Sequence, residues 1–559
     1  MSVSNRVFLF ALAAGASLLP AASFAQPVSV DPAQVERRFD RDNLPIADHL
    51  RRPEIRTPDA AAAQPQSRQR YDYVLKSVKV EGNSAAGNEE LSALYQPLVG
   101  KKITSAEASK LRQAILKAYR SEGYVLAQAN FVSSPSKGAL TIKINEGSIA
   151  RVNFAGAKPA NPTIDAYVTH LTSKRAVRNT DIERFLLLIN DLPGTDAKGA
   201  IVPSSVAGGS HELVVSVTQK AYDASYSVDN RGSKLIGPVQ HSFVGSAYSL
   251  FDRGDRTTAR FITTSPIDEL KFFDLLHEQP VGSQGGKVAV TGSVSETKPG
   301  STLSASQIEA QSQFARVSYT HPIIRERLES FEARVMVDAR NTDIDTASVT
   351  TSKDRLRTIR AGSIYEFSDS FSGSNLFNLQ VSQGVEALGG SDRRDDVSRA
   401  GADASFTKLN LDISRTHFLP VNGLSLFTAV TGQYASDKLL GAEQISFGGA
   451  GFGRGYNPAE ISGDHGLGGK AELRYGRATG IEVMPSYQAY TYYDAGRVWT
   501  RGNNSTDDSL ASAGLGLRTQ FFDRVTTNVE VAFPLTKDVS NEGNDGDSPR
   551  FFFGATTKF

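Results

Sequence analysis

Residues 331–340 read Phe-Glu-Ala-Arg-Val-Met-Val-Asp-Ala-Arg, so apolar and charged side chains alternate along them. In a β-strand successive side chains point to opposite faces, which gives this stretch one apolar face and one charged face. The apolar face holds Phe331, Ala333, Val335, Val337 and Ala339, and the charged face holds Glu332, Arg334, Asp338 and Arg340. Charges of both signs suit a water-filled lumen and would be costly against lipid. The stretch therefore predicts a strand in the wall of a membrane barrel.

The same alternation recurs from residue 221 to residue 559, in about sixteen strand-like segments without a helix between them. Residues 470–475 and 525–533 are two further clear examples. The last segment places Phe551, Phe553, Ala555, Thr557 and Phe559 on one face. We predict a mainly β chain whose C-terminal part is a sixteen-stranded transmembrane barrel, because a closed barrel leaves no backbone group unpaired in lipid. The alternative is a soluble β-sandwich or solenoid, but neither fold needs a chain that ends on an apolar strand.

The N-terminus and the composition indicate the compartment. Arg6 precedes an apolar run over residues 7–19, and Ser23-Phe24-Ala25 resembles a cleavage site, so residues 1–25 are predicted to be a secretory signal peptide. The chain has no cysteine, which excludes a disulfide framework and thiolate chemistry. A net charge of +1 argues against a nucleic-acid-binding surface. The mean hydropathy of -0.28 is compatible with a membrane barrel, since every second barrel residue faces the lumen.

Residues 26–70 form an N-terminal segment with a short helix and a linker. Asp31 is a suitable cap, Pro32 suits the first helical turn, and Val35 and Phe39 fall on one face. The remainder is rich in Pro, Ala, Gln and Arg, as linkers often are. A short helix on a long tether is either a frayed tail or a removable plug, and the residues alone favour neither.

Two similar units, residues 71–147 and 148–220, follow the linker and repeat with an offset of about 75 residues. Each unit begins and ends with an alternating strand, at residues 77–82 and 140–144 in the first and at 151–156 and 213–217 in the second. Capping boxes predict a helix between these strands, at Thr104 and Glu107 in the first unit and at Thr180 and Glu183 in the second. Each unit is thus a small α+β module with an open sheet edge that can accept an extended peptide. The alternative is that the units are only spacers.

A glycine-rich insertion, residues 436–466, separates two of the predicted barrel strands. Its centre, residues 447–456, reads Phe-Gly-Gly-Ala-Gly-Phe-Gly-Arg-Gly-Tyr. Glycine at this density lets backbone pass through tight spaces, as when a loop folds back into a barrel. The spacing matches neither the GxGxxG nor the Walker pattern and no helix follows, which argues against a nucleotide-binding loop.

Arg454 in this insertion needs an anionic partner if the loop enters the lumen. Asp494, on a downstream strand, shares a face with Tyr492 and Gly496. An Arg454–Asp494 pair would latch the loop inside the barrel, and breaking it would cost on the order of a few kcal/mol. The alternative is that Arg454 caps a turn at the surface.

The chain resembles the outer-membrane transporters of two-partner secretion, which include haemolysin secretion/activation proteins and filamentous-haemagglutinin transporters. The triplet Arg454-Gly455-Tyr456 is similar to that family's V/I-R-G-Y/F loop motif, and Tyr492-x-Asp494-x-Gly496 is similar to its F-x-D-x-G barrel-wall motif. Asp229, Asn230, Arg231 and Gly232 resemble the residues at which the family's chain enters the barrel. Two departures are Gly453, where the family usually has Val or Ile, and Tyr492 in place of Phe. We expect Gly453 to leave the loop tip less packed.

The resemblance implies a fold, a location and a set of partners. The two units would be periplasmic POTRA domains, the N-terminal helix would plug the pore, and the Arg454 loop would contact the barrel wall. The transporter would lie in the outer membrane of a Gram-negative bacterium, in contact with lipid. A terminal aromatic residue, here Phe559, would be read by the barrel-assembly machinery.

The resemblance also implies a function, the export of a large partner protein. The transporter would recognise the unfolded N-terminal secretion domain of an exoprotein in the periplasm and pass the exoprotein through its barrel to the cell surface. Since the periplasm lacks ATP, folding of the exported protein outside would supply the direction, and no cofactor is expected. The main alternative is an assembly factor that inserts other barrels, and a passive porin is a weaker one because a porin needs no periplasmic units. An enzyme is not expected, because there is no GxSxG or HExxH motif and the histidines show no ligand spacing that would hold a metal.

Overall fold

The computed structural model describes residues 31–41, 55–56, 71–85, 87–156, 159–204, 210–502, 505–541 and 546–559. The predicted signal peptide and most of the predicted linker lie outside these residues. Helix α1 spans Pro32–Arg41, and Asp31 Oδ1 accepts the backbone N–H of Ala33 at 2.8 Å at its start. Strand β1 has only two residues, Ile55–Arg56.

The first unit contains a three-stranded sheet with two helices. Its elements are β2 (Asp72–Val74), β3 (Ser77–Glu81), α2 (Asn88–Tyr95), β4 (Lys102–Thr104), α3 (Ser105–Ser121), β5 (Gln128–Ser134) and β6 (Ala139–Asn145). The sheet order is β3-β6-β5, and β2 pairs with β4 in a separate ribbon. The capping box is present, since Thr104 Oγ1 accepts the N–H of Glu107 at 3.3 Å and Glu107 Oε2 accepts the N–H of Thr104 at 2.7 Å. The periodicity predicted α3, but the alternating pattern did not predict α2.

The second unit repeats this architecture with a longer sheet. Its elements are β7 (Ile149–Phe154), α4 (Pro162–Thr172), α5 (Asn179–Asn190), β8 (Thr195–Pro203) and β9 (His211–Gln219). The capping box predicted at Thr180 and Glu183 is wrong. Helix α5 begins at Asn179, two residues before the start that a Thr180 cap would give. The Asp181 carboxylate accepts the N–H of Arg178 at 2.8 Å, because an aspartate three residues after Arg178 can reach that orphan donor. Helix α4, which starts at Asn161 and Pro162, was not predicted either.

A closed barrel of sixteen antiparallel strands follows, and this confirms the predicted fold class. The strands on either side of the long insertion are β10 (Tyr222–Asp229), β11 (Val239–Tyr248), β12 (Arg256–Ser265), β13 (Leu270–Val281), β14 (Gly286–Thr297), β15 (Ile308–Arg325), β16 (Glu329–Thr346), β17 (Val349–Ser368), β18 (Gly373–Gly384), β19 (Thr407–Phe418) and β20 (Leu424–Ala435), then β23 (His465–Ile481), β24 (Met484–Trp499), β25 (Asp507–Phe521), β26 (Val525–Pro534) and β27 (Arg550–Lys558). Two short strands, β21 (Ile445–Phe447) and β22 (Ile461–Gly463), form a hairpin within the insertion.

The wall alternates as the sequence predicts. On β16 the side chains of Val335 and Val337 are more than half exposed on the outer surface, whereas Asp338 and Arg340 face inward and are 4% and 7% exposed. The apolar face thus meets lipid and the charged face lines the lumen. Within the described residues, no helix has the length and apolar character that a membrane span requires.

The barrel closes where its first and last strands pair. Strands β10 and β27 are in register from Ser225 opposite Lys558 to Asp229 opposite Gly554. Asn230 continues the seam with its side chain, because its Nδ2 donates to Phe551 O at 2.9 Å and its Oδ1 accepts the N–H of Phe553 at 2.7 Å. The side-chain amide therefore extends the seam together with the backbone N–H of Asn230, which donates to Phe553 O at 3.3 Å.

The second unit is fixed against the turns at one end of the barrel. Arg325, at the end of β15, donates to both oxygens of Asp191 at 2.7 Å, and both side chains are largely buried. Arg184 donates to the backbone carbonyls of Gln284 at 3.1 Å and Pro322 at 2.9 Å. These contacts place the second unit beside the mouth from which β10 starts.

Candidate functional site in the barrel lumen

The long insertion folds into the lumen as a hairpin held against the wall. The ring of Phe447, on β21, is buried and lies over two glycines of neighbouring wall strands. A Cβ at Gly496 would lie 2.6 Å from Phe447 Cγ, and one at Gly468 would lie 2.5 Å from Phe447 Cε1. Any side chain at Gly496 would therefore push the hairpin away from the wall, which explains the glycine in the wall motif.

Arg454 lies at the centre of a buried ionic cluster, and its side chain is only 6% exposed. Its Nε donates to Asp494 Oδ2 at 3.0 Å, and its Nη1 donates to Glu472 Oε2 at 2.6 Å. Glu530 Oε2 lies 4.0 Å from the same Nη1. Burial by itself would lower the pKa of Arg454, but these carboxylates raise the pKa above its ordinary value, so the guanidinium stays charged. The structure thus brings together the predicted Arg454 and Asp494.

The wall carboxylates also have cationic partners of their own. Glu472 Oε1 accepts from Arg474 Nε at 2.7 Å and from Arg518 Nη1 at 2.9 Å. Arg231 Nη2 lies 2.9 Å from Glu530 Oε1. The cluster is therefore a network across several strands, and removal of one member leaves other buried charges with one partner fewer.

Tyr492 contributes a contact that phenylalanine could not make. The guanidinium carbon of Arg454 lies 3.3 Å from the centre of the Tyr492 ring, so the loop arginine stacks on the wall aromatic. The Tyr492 hydroxyl donates to Glu530 Oε1 at 3.0 Å. This departure from the family motif therefore ties the wall aromatic to the ionic cluster.

Gly453, the second departure, does not leave the loop tip loosely packed as expected. Its φ is +81°, and a Cβ would lie 2.5 Å from Leu510 Cδ1. The backbone occupies a left-handed conformation that a β-branched residue strongly disfavours. The loop backbone thus approaches β25 more closely than valine or isoleucine in this conformation would allow.

Tyr456, the last residue of the loop triplet, binds a backbone turn next to the barrel wall. Its hydroxyl accepts the N–H groups of Leu535, Thr536 and Lys537 at 3.2, 3.2 and 3.3 Å. The same hydroxyl donates to Ala511 O at 3.1 Å. Between Arg454 and Tyr456, Gly455 is close-packed, since a Cβ there would lie 3.0 Å from Pro534 N. All three residues of the triplet therefore contact the wall or the loop beside it.

A second anchor, at Glu443, attaches the base of the insertion to strands β17 and β19, and the sequence did not predict it. Glu443 Oε1 accepts from Arg360 Nη2 at 2.7 Å, and Glu443 Oε2 accepts from Lys408 Nζ at 2.5 Å. All three side chains are buried. The insertion is consequently held at two places on the wall.

Helix α1 lies inside the lumen, against both the wall and the insertion. Glu36 forms an ion pair with Arg340 and accepts a hydrogen bond from Ser293. Gln34 Nε2 donates to Gly441 O at 2.5 Å and to Gln444 O at 3.2 Å, both at the base of the insertion. The sequence left open whether this helix is a frayed tail or a removable plug. Its position in the lumen is the one that a plug would occupy.

The residues that resemble the entry of the chain into the barrel lie at the far end of the first strand. Asp229 Oδ1 accepts the N–H of Arg231 at 2.8 Å, which bends the chain after β10. A Cβ at Gly232 would lie 1.8 Å from Gly237 O, so only glycine fits there. Asn230 donates a hydrogen bond across the seam to the last strand, and Arg231 forms an ion pair with Glu530 of the ionic cluster. At the other end of the seam, Phe559 is exposed and its N–H donates to Ala224 O at 2.9 Å.

Sequence reasoning missed Glu472, Glu530 and Glu443 as members of the site. The alternating pattern placed Glu472 and Glu530 at lumen-facing positions of their strands. This was the only feature of the sequence that pointed to them. The alternating pattern shows which face of a strand a residue lies on. It does not show which strands bring their inward side chains close to one another, so the convergence of these residues on Arg454 was not predictable. Among the described residues, no cluster of metal-ligating side chains is present.

Comparisons with known proteins agree with this architecture. The sequence model of the family described as haemolysin secretion/activation protein ShlB/FhaC/HecB matches residues 208–519. The sequence model of the ShlB-type POTRA domain matches residues 73–147. The chain belongs to the ShlB/FhaC/HecB family. It is therefore a two-partner secretion transporter of the outer membrane, and the POTRA domains of this family are periplasmic.

The matches to relatives and to solved structures cover most of the transporter's length. It is 23% identical over 490 residues to the heme/hemopexin transporter protein HuxB of Haemophilus influenzae, covering 85% of this chain and 86% of that protein. It is 23% identical over 485 residues to the hemolysin transporter protein ShlB of Serratia marcescens, covering 85% and 84%. The structure of CdiB from Escherichia coli superposes with a TM-score of 0.78 at 20% identity, covering 96% of this chain and 99% of that one. These matches support the transporter over the assembly factor, and the family members are transporters rather than enzymes.

Replacing Arg454 tests the latch. Arg454→Ala leaves Asp494 and Glu472 with one cation fewer in a buried site, so we expect the insertion to lose about 3–5 kcal/mol of its attachment to the wall. The measurement is maleimide labelling of a cysteine introduced at Ala450, the sole cysteine in the chain. Labelling should become faster, while the barrel still shows heat-dependent mobility on gels. Arg394→Ala, which removes a guanidinium that is 89% exposed, is the control, and equal labelling in both variants would contradict the latch.

Replacing Gly453 tests how closely the loop is packed. Gly453→Val introduces a branched side chain at positive φ and against Leu510, and we expect a loss of about 2–4 kcal/mol in loop attachment. The same labelling assay at position 450 should report faster reaction. Gly451→Val is the matched control, because a Cβ there meets nothing within 4 Å. If Gly453→Val labels no faster than Gly451→Val, the close packing described above is wrong.

Proposed function

We propose that this transporter captures an unfolded partner exoprotein in the periplasm and exports it through a lumen that α1 and the long insertion close at rest. The observation that carries this proposal is the way in which the lumen is filled. Helix α1 and the insertion are held by ion pairs and by side-chain hydrogen bonds to backbone carbonyls, including Glu36 with Arg340 and Gln34 with Gly441. Such contacts can be replaced by water or by another polar chain, while the apolar contacts of Val35 and Phe447 hold the helix and the insertion in place at rest.

The lumen wall suits a passing polypeptide. Its inward side chains carry charges of both signs, so an extended chain meets donors and acceptors without a continuous apolar surface to which it would adhere. No nucleotide-binding motif supplies energy, and folding of the exported protein outside the cell supplies the direction. The exoprotein is the partner of the transport reaction. Outer-membrane lipid and the barrel-assembly machinery, which would read Phe559, are the further partners of the barrel itself.

A deletion strain tests the function directly. Proteins on the cell surface and in the medium are compared by mass spectrometry between wild-type cells and cells that lack this chain. We expect one large protein, here called the export substrate, to disappear from both fractions. The full-length chain should restore it, and a variant without residues 77–147 should not, because that variant lacks the first unit while its barrel still assembles. Loss of several outer-membrane barrels instead of one secreted protein would favour the assembly factor.

The plug is tested by its conductance. Glu36→Gln leaves Arg340 buried without its carboxylate, which should cost α1 about 3 kcal/mol of its binding free energy in the lumen. Planar-bilayer recordings in KCl should show a higher open probability for this variant, and deletion of residues 30–40 should show the highest. Glu81→Gln, which removes a partly exposed surface ion pair with Lys79 in the first unit, is the control. Conductance that stays flat after the deletion would mean that α1 is only a tail.

A further inference from the structure

The outer surface of β17 carries a row of basic side chains near its N-terminal end. Residues at every second position of a strand share a face, and exposed Ile359 shows that the odd-numbered positions of β17 face outward. The next outward positions toward the hairpin at residues 347–348 are Arg357, Arg355 and Lys353. Neighbouring members lie about 7 Å apart along the strand. These three residues are called the β17 basic row below.

The β17 basic row lies at the boundary of the membrane on the cell-surface side. The turn that joins β15 to β16 contacts the second unit through Arg325, on the periplasmic side, so the hairpin between β16 and β17 lies at the opposite end of these strands. Arg357 pairs with Ala339, the last apolar outward residue of β16, and Arg355 pairs with Asn341, the first polar one. The row therefore begins where the hydrocarbon of the outer leaflet gives way to its headgroups.

The guanidinium of Arg357 is held in one orientation by neutral groups. Its Nε donates to Leu388 O at 3.3 Å, and its Nη1 donates to Leu356 O at 2.7 Å and to Asn341 Oδ1 at 3.0 Å. Among the described residues, no carboxylate lies within ion-pair distance of Arg357, and its Nη2 donates no hydrogen bond. A fixed guanidinium whose charge no carboxylate cancels is preorganised to bind an anion.

Basic side chains near the cell-surface ends of other strands have carboxylate partners. Lys298 Nζ lies 3.0 Å from Glu296 Oε1, and Arg497 forms an ion pair with Asp507. The charge of each is therefore balanced within the barrel itself. Arg357 differs from them because only carbonyl and amide oxygens surround it, so its positive charge remains available to a ligand.

The β17 basic row as a whole carries an excess of positive charge. Arg355 Nη2 lies 2.7 Å from Asp343 Oδ1, so one carboxylate balances one member of the row. Lys353 is exposed and forms no salt bridge with another described residue. Two cations, those of Lys353 and Arg357, thus remain unbalanced at the depth at which lipid phosphates lie. A phosphate is the anion that a guanidinium binds with two parallel hydrogen bonds and that a lysine binds as a point charge.

We propose that the β17 basic row binds the phosphate groups of a phosphorylated glycolipid of the outer leaflet, the lipid A part of lipopolysaccharide. The acyl chains of this lipid lie along the exposed apolar side chains below the row, among them Ile359 and Val337. A ligand that binds only the folded barrel raises its stability, so the bound lipid stabilises this side of the wall. The inference concerns the lipid surface of the barrel and does not depend on the export reaction.

Binding of lipid A to the purified full-length chain tests the site. Native mass spectrometry measures the fraction of the chain that retains diphosphoryl lipid A over a series of lipid concentrations. Arg357→Gln should weaken binding about fivefold, the factor expected when one cation near an anionic lipid is lost, and Lys353→Gln should weaken it by a similar factor. Arg497→Gln is the matched control, because it removes the same charge from a side chain that is paired with a carboxylate. It should bind lipid A as the wild type does.

Changing the probe separates the phosphate groups from the acyl chains. Dephosphorylated lipid A should bind wild type and Arg357→Gln equally, because it lacks the group that the row recognises. Inorganic phosphate at the same concentration as diphosphoryl lipid A should not displace it, since the acyl chains add to the binding of the lipid. If wild type and both β17 variants bind diphosphoryl lipid A equally, or if Arg497→Gln loses as much binding as they do, the inference is overturned. Displacement by inorganic phosphate would show a general anion site and would also overturn it.

A thermal measurement gives a second readout. Diphosphoryl lipid A should raise the temperature at which the barrel loses its heat-dependent mobility on gels, in the wild type and in Arg497→Gln. The rise should be smaller in Lys353→Gln and smallest in the double variant with Arg357→Gln. Lys353→Gln keeps the test valid if Arg357→Gln weakens the barrel by itself, because the exposed Lys353 side chain forms no salt bridge with a described residue. A rise in the double variant that equals the wild-type rise would overturn the inference.

Discussion

The structure depends on one constraint, that a strand in lipid must have every backbone group paired. Sixteen strands satisfy it by closing β10 onto β27, with Asn230 extending the seam by its side chain. Because the apolar side chains must then face outward, the charged ones are collected inside. A lumen lined in this way contains buried ions that need partners, and this requirement explains what fills it. The long insertion brings a cation to the carboxylates of one wall, and α1 brings a carboxylate to Arg340 of the other.

The filling of the lumen is therefore complementary to its wall in charge, and apolar contacts of Val35 and Phe447 add to this fit. Arg454 is held by Asp494 and Glu472, and Glu443 attaches the same insertion to Arg360 on β17. Gln34 of α1 binds backbone carbonyls beside Glu443, so the helix and the insertion support each other. In a transporter, contacts of this kind have a specific use, since polar groups on a moving chain can take over the partners that the departing helix and loop leave behind. Outside the barrel, the two-residue strand β1 pairs with β8 of the second unit.

The sequence allowed much of this to be predicted, and the failures have physical causes. Strict alternation, as at Val335 and Asp338, identifies the outward and inward faces because the period of a strand is two. The capping box at Thr104 was correct, but the one at Thr180 was not, since Asp181 competed successfully for the helix start. Gly453 suggested loose packing, whereas the tertiary structure places Leu510 where its side chain would be. A glycine leaves empty space only if no neighbouring side chain fills it, and the sequence does not show which residues pack around the glycine.

The sequence by itself determined the barrel, the two α+β units before it and the faces of its strands, and the resemblance to the family implied the contact of Arg454 with Asp494. These features depend on local periodicity or on short motifs, and both can be read along one chain. Only the tertiary structure decided that Glu472, Glu530 and Arg231 converge on that pair, that α1 lies in the lumen and that the linker adds a strand to β8. Such contacts join residues far apart in sequence, and they depend on barrel curvature and strand register, which local pattern does not encode.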